Sequence, residues 1–278
     1  MSTLLFYDKP VALNSKTHFN LRIKPTGEGL KFSARTNSVL LAGTEFPEAC
    51  KHFPIVFAKA PGEQVLPMAL LGFRDQENLF VDASGRWKSE YVPAYIRRYP
   101  FVLATGGEGQ TLTVCIDESY PGFGADEGQP LFNGKGEPTD YLKGVLAFLR
   151  DYQAQIERTD IFLRTLRELG LLMDVAASVS LPGGARYSVS GLMMVDERKL
   201  KALPDEKILR LFRSGELAWI YSHLISLSNF SRLPSKAAMP EPVATGPITN
   251  TPATASSSPG KAAPVRKNPD QARPSAKK

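Results

Sequence analysis

After Pro234 the sequence contains no aromatic residue, and eight of its last 44 positions are proline. The larger apolar groups there, Met239, Val243, Ile248 and Val265, stand apart from one another. Such a stretch cannot bury enough surface to offset the cost of ordering a backbone, about 1–2 kcal/mol per residue. Residues 235–278 are therefore expected to form a disordered, Pro/Ala/Ser-rich basic tail with local polyproline character. The folding problem is confined to residues 1–234, read as one domain with a sizeable core.

The same break divides the charge. The tail holds seven basic and two acidic residues, whereas the body holds 27 and 26. A nearly neutral body gives no electrostatic footprint for nucleic acid. Arg266, Lys267, Lys277 and Lys278 offer contacts to anionic lipid, nucleic acid or an acidic partner, and the plainer reading is a solvated, non-specific tail.

Other classes fall away in turn. Two cysteines, Cys50 and Cys115, permit at most one bridge. The histidines His18, His52 and His223 form no paired ligand motif, so no metal and no cofactor is expected. No apolar run approaches the roughly 18 residues of a membrane span. The N-terminal residues lack the pattern of a signal peptide, which makes cytoplasmic residence the expectation. Export to the cell surface by a route reading another signal is the alternative.

Along the body, strand patterns come first. They lie at 11–14, 21–23, 54–58, 68–73, 79–81, 101–104 and 111–116, the last two forming a hairpin across 105–109. A glycine-rich loop spans 120–136. Apolar groups then recur at spacings of three and four from Leu142 to Leu169, with a gap near Thr159. Thr139 is a candidate N-cap and Gly170 a candidate stop. An unbroken helix there would be about 45 Å long at roughly 1.5 Å per residue; a break at the gap would make two. A second hairpin pairs 175–181 with 186–195. Short helices follow over 197–203 and 205–214, then 216–227 with Leu217, Ile220, Leu224 and Leu227 as the inward stripe. Without regular βαβ alternation the fold class is α+β: mixed or antiparallel sheets, hairpins, a long central helix and C-terminal helices.

No phosphate loop, dinucleotide fingerprint or nucleophile elbow occurs. Cys50 precedes His52 by two residues, a spacing that aligns them only on a strand. Asp75, Asp82 and Asp117 lie at strand ends and turns, where carboxylates either catalyse or hold backbone. The most unusual composition lies in 85–101, which contains Arg86, Trp87, Tyr91, Tyr95, Arg97 and Arg98. Aromatic faces stack on sugars or planar groups and arginine forks carboxylate or phosphate, so this block is the first candidate for a binding cleft. The competing reading makes its aromatics core anchors with polar tips.

This region also carries a resemblance. The run from Leu70 to Asp82, Gly85-Arg86-Trp87, Tyr91 to Phe101, Cys115-Ile116-Asp117-Glu118 and the stretch around His223 resemble the bacterial SapC family over residues 8–233. The resemblance implies a structural or accessory protein of the envelope, since a family namesake is part of a bacterial surface layer. It brings no catalytic residues. A transporter permease shares the name, but a chain without membrane spans does not match that meaning.

Two functions are thus expected to compete. One is a non-catalytic binding or envelope-associated protein, with surface-layer components or a small polar ligand as partner. The other is an enzyme acting on a small polar or carbohydrate-like substrate. The enzyme requires Asp75, Asp82 or Asp117 to share a pocket with Trp87 and Arg97 or Arg98.

Overall fold

The computed structural model describes residues 5–60, 62, 64–106, 111–180 and 186–233. The expected tail and the turns at 107–109 and 182–185 lie outside the described residues.

In chain order the strands are β1 (Pro10–Ala12), β2 (Arg22–Ile23), β3 (Ser38–Leu40), β4 (Ile55–Ala60), β5 (Gln64–Leu70) and β6 (Phe101–Gly106). They continue as β7 (Thr111–Asp117), β8 (Phe123–Gly124), β9 (Gln129–Pro130), β10 (Leu172–Ser180) and β11 (Arg186–Val195). The helices are α1 (Phe46–Ala49), α2 (Ala94–Arg97), α3 (Asp140–Glu168), α4 (Glu197–Lys201), α5 (Asp205–Ser214) and α6 (Glu216–Ser226).

The strands form three sheets, ordered β10-β11-β4-β5-β3, β1-β7-β6 and β8-β2-β9. Every pairing is antiparallel. This is the expected α+β class, and both expected hairpins are present as β6–β7 and β10–β11. β4 and β5 are apolar nearly throughout because they sit in the middle of the largest sheet, buried on both faces.

One helix ties these sheets together. α3 runs unbroken for 29 residues, with the Thr139 hydroxyl accepting from the Leu142 N–H at its start. At its end the Gly170 N–H donates to Arg167 and the Leu171 N–H to Leu166, the paired bonds of a Schellman stop. Leu142 and Leu149 pack with Ile23, Phe101, Ile116 and Leu131 in one core. Phe162 and Leu166 pack with Phe46, Phe57, Trp219 and Ile220 in another. Tyr152, midway along the helix, packs with Ala42 and Ala94.

Thr159 explains the gap in the apolar spacing. Its hydroxyl donates to the Gln155 carbonyl at 2.6 Å and accepts the Gly43 N–H at 2.8 Å. The site is a buried polar docking point, not a break. No side chain fits at Gly43, where a Cβ would lie 2.4 Å from the Trp219 ring.

Three expectations shift. Residues 79–81 form a turn, with the Asn78 side chain accepting the Phe80 N–H and only one bridge between Val81 and Trp87. The strand expected at 68–73 ends at Leu70, beyond which the Leu71 and Gly72 N–H groups both donate to Asn37. The buried stripe of α6 is Glu216, Trp219, Ile220, His223 and Ser226, rotated from the all-apolar one. The rotation follows from hydrogen bonding. The Ile55 N–H donates to Ser226 Oγ at 2.9 Å, and His223 Nδ1 meets the Ile55 carbonyl at 2.9 Å. His223 Nε2 accepts the Val195 N–H at 3.1 Å. Two polar side chains thereby dock α6 on the sheet.

Candidate functional site

The aromatic and arginine block divides into separate contacts, its aromatic rings packed inward while Arg86 and Arg97 stay exposed. Trp87 donates to the Tyr91 carbonyl at 2.8 Å, and its ring packs on Phe80 and Phe53. The Tyr91 hydroxyl donates to Glu45 Oε1 at 2.7 Å, an oxygen that also accepts the Ala94 N–H. The other Glu45 oxygen accepts the Ala42 N–H at 2.8 Å. Burial, then the Glu45 charge, pushes the Tyr91 hydroxyl above its ordinary pKa. Arg97 is exposed, with Nε donating to the Val92 carbonyl and its guanidinium 5.2 Å from the Phe148 ring centroid.

Arg98 is the most enclosed of these cations. Its guanidinium carbon lies 3.9 Å from the centroid of Tyr95, 5.7 Å from Tyr152 and 5.9 Å from Tyr7. Burial opposes the charge, yet Tyr152, Tyr95 and Tyr7 hold its pKa above the usual value. Its Nε and the Tyr152 hydroxyl are both enclosed without a hydrogen-bond partner among the described residues.

The three candidate carboxylates are dispersed. Asp75 is exposed. Asp82 closes its own turn, accepting from Ser84 and from the Arg86 N–H and side chain. Those bonds, led by the Ser84 hydroxyl, hold its carboxyl at about 2. Asp117 accepts from the N–H groups of Asp8, Lys9 and Ser119 and from the hydroxyls of Tyr99 and Ser119. Burial would raise its carboxyl, but these bonds keep it below the ordinary range. It pins the N-terminal segment to β7.

Two surface cavities lie elsewhere, each lined in part by the small sheet of β2, β8 and β9. That sheet forms because Gly122 and Gly128 let the 120–130 loop close on β2. A Cβ would lie 2.3 Å from the Lys24 carbonyl at Gly122 and 2.4 Å from the Ile23 carbonyl at Gly128. The first cavity, of 290 Å³, is lined by Lys9, His18, Glu118, Leu21, Ile116 and Phe123 among others. The second, of 460 Å³, lies beside Phe19, Asn20, Arg22 and Asp126. Neither lining includes any of the nine residues singled out in the sequence.

The SapC family model matches residues 13–233. The chain belongs to the SapC family. The segment this family shares holds all nine sequence candidates, His18 and Glu118, while Lys9 precedes it. Comparison with curated proteins and with solved structures finds no match.

The groups of the first cavity satisfy one another. Lys9 Nζ lies 2.7 Å from Glu118 Oε2, and His18 Nε2 lies 3.4 Å from Glu118 Oε1. The Asn14 N–H donates to His18 Nδ1 at 3.0 Å, which places the imidazole proton on Nε2, toward Glu118. Lys9, then His18, hold the Glu118 carboxyl below its ordinary pKa. Neither ring nitrogen is left as a base. This triad had no local signature, because it joins positions 100 residues apart.

Cys50 and His52 do not form a nucleophile. Cys50 caps α1, its thiol donates to the Pro47 carbonyl, and burial raises its pKa. Among the described residues no group of three or more His, Cys, Asp or Glu could hold a metal ion. Among the same residues no helix is long and apolar enough to cross a membrane.

Proposed function

We propose that this SapC-family chain is a non-catalytic accessory protein that binds components of the bacterial envelope or surface layer. The observation that carries the reading is that His18 and Glu118 of the first cavity and the candidate carboxylates Asp82 and Asp117 are each committed to structural bonds. Both nitrogens of His18 are engaged, and Asp82 and Asp117 hold backbone in separate turns. Asp75, Asp82 and Asp117 line neither cavity and form no ion pair with Arg97 or Arg98. An acid–base reaction needs a poised, accessible lone pair beside bound substrate. Recognition needs only fixed donors, acceptors and apolar faces. Family membership favours the same reading through the surface-layer association of the name. Phe212 on α5 and Ile225 on α6, 68% and 62% exposed, are further apolar groups available to a partner.

The test is fractionation of native cells with an antibody against the untagged protein. The expected result is a pool that travels with the envelope. Recovery of all the protein in the soluble cytosolic fraction would overturn the proposal.

A further inference from the structure

The second cavity differs from the first in that two of its polar side chains, those of Asn20 and Asp126, are uncommitted. The Asn20 amide and the Asp126 carboxylate make no hydrogen bond or ion pair with any described residue, and both are exposed. Arg22 donates from one terminal nitrogen to the Gly128 carbonyl at 3.0 Å, which fixes the guanidinium and leaves its other N–H groups without a partner among the described residues. Beside them lies the Phe19 ring, 40% exposed, and the wall continues through Phe132. Asn133 stiffens the rim: its carbonyl oxygen accepts the Lys135 and Glu137 N–H groups, and its amide donates to Glu137.

We infer that this cavity is a binding site for a neutral saccharide. Three planar side chains present paired donors and acceptors, the pattern that matches adjacent hydroxyls on a sugar ring. An exposed aromatic face packs against the ring's C–H surface. The charges of Arg22 and Asp126 cancel, and a free carboxylate in the wall disfavours a phosphate or an acidic sugar. At 460 Å³ the cavity has the size of a small-ligand site, about 300–1,000 Å³. The inference rests on the binding-protein reading above and names a ligand class for a site that none of the sequence motifs marks.

The experiment titrates the full chain with maltotriose and with the trimer of N-acetylglucosamine, following binding by calorimetry, with trigalacturonate as the charged comparison. Saturable binding of at least one neutral trisaccharide is expected, with trigalacturonate weaker. Phe19→Ala and Asp126→Ala, both at exposed positions, should each weaken it by about tenfold or more while leaving the melting temperature unchanged. Arg97→Ala should leave it intact. Absence of saturable binding to both neutral trisaccharides would overturn the inference, as would equal binding by the Phe19 and Asp126 variants. The fractionation result is independent of these titrations, so the saccharide site can fail while the envelope assignment stands.

Discussion

The guanidinium of Arg98 sits 3.9 Å from the ring centroid of Tyr95, its neighbour three residues earlier in the same short turn. The contact turns one guanidinium of the 85–101 block into an internal joint. The third ring of the cage, Tyr152, is midway along α3, between its two cores. Arg98→Lys removes the planar group that stacks on three rings, and a loss of about 1–3 kcal/mol is expected in urea denaturation. Unchanged stability would contradict the cage.

Tyr152 gives the opposite sign. Its hydroxyl is buried without a partner among the described residues, so Tyr152→Phe removes a desolvated polar group and keeps the ring. The variant should be as stable as the parent or more stable by up to about 1 kcal/mol. A loss above that size would show that the hydroxyl has a partner.

Thr159→Val keeps the shape at the α3 docking point but orphans the Gly43 N–H. The expected cost is about 1–3 kcal/mol, read as a lower urea midpoint with an unchanged denaturant slope. A neutral outcome would mean that the loop before α1 docks through apolar contacts alone.

His223 predicts a pH dependence. Burial lowers its pKa from 6.5 to about 4, so the folded state holds it neutral. An unfolded chain takes up that proton near pH 6.5, so the stabilisation is complete above that pH and is lost as pH falls toward 4. The size is about 3 kcal/mol over that window. His223→Asn removes the titration, so the stability gap between parent and variant should narrow by that amount between pH 7 and pH 4. A gap independent of pH would contradict the assignment.

The sequence carries the elements better than it carries their meeting points. Hairpins, caps and the long helix were legible because period and turn chemistry are local properties. Glu197–Lys201 begins behind Asp196, whose carboxylate accepts the Arg198 and Lys199 N–H groups, as its residue type implies. The α6 stripe was misplaced because an apolar pattern cannot foresee that His223 and Ser226 would turn inward to satisfy Ile55. The candidate site was less legible for the same reason. Tyr95 and Arg98 attract notice by composition, but their partners Tyr7 and Tyr152 are distant in sequence. His18 and Glu118 meet only after β1 and β7 pair. The cavity beside Phe19 depends on close approaches at Gly122 and Gly128 that leave no pattern beyond glycine in a loop.

The central claim is the proposed one, that the chain binds the envelope, and the proposed saccharide site assigns that binding to the face around β2, β8 and β9. Co-sedimentation of the purified full chain with isolated bacterial envelopes tests it most directly. The parent chain and an Arg86→Ala, Arg97→Ala variant are predicted to sediment, and a Phe19→Ala, Asp126→Ala variant to stay in solution. A parent chain that remains in the supernatant would contradict the envelope reading, and a Phe19 and Asp126 variant that sediments as fully as the parent would contradict the saccharide site alone.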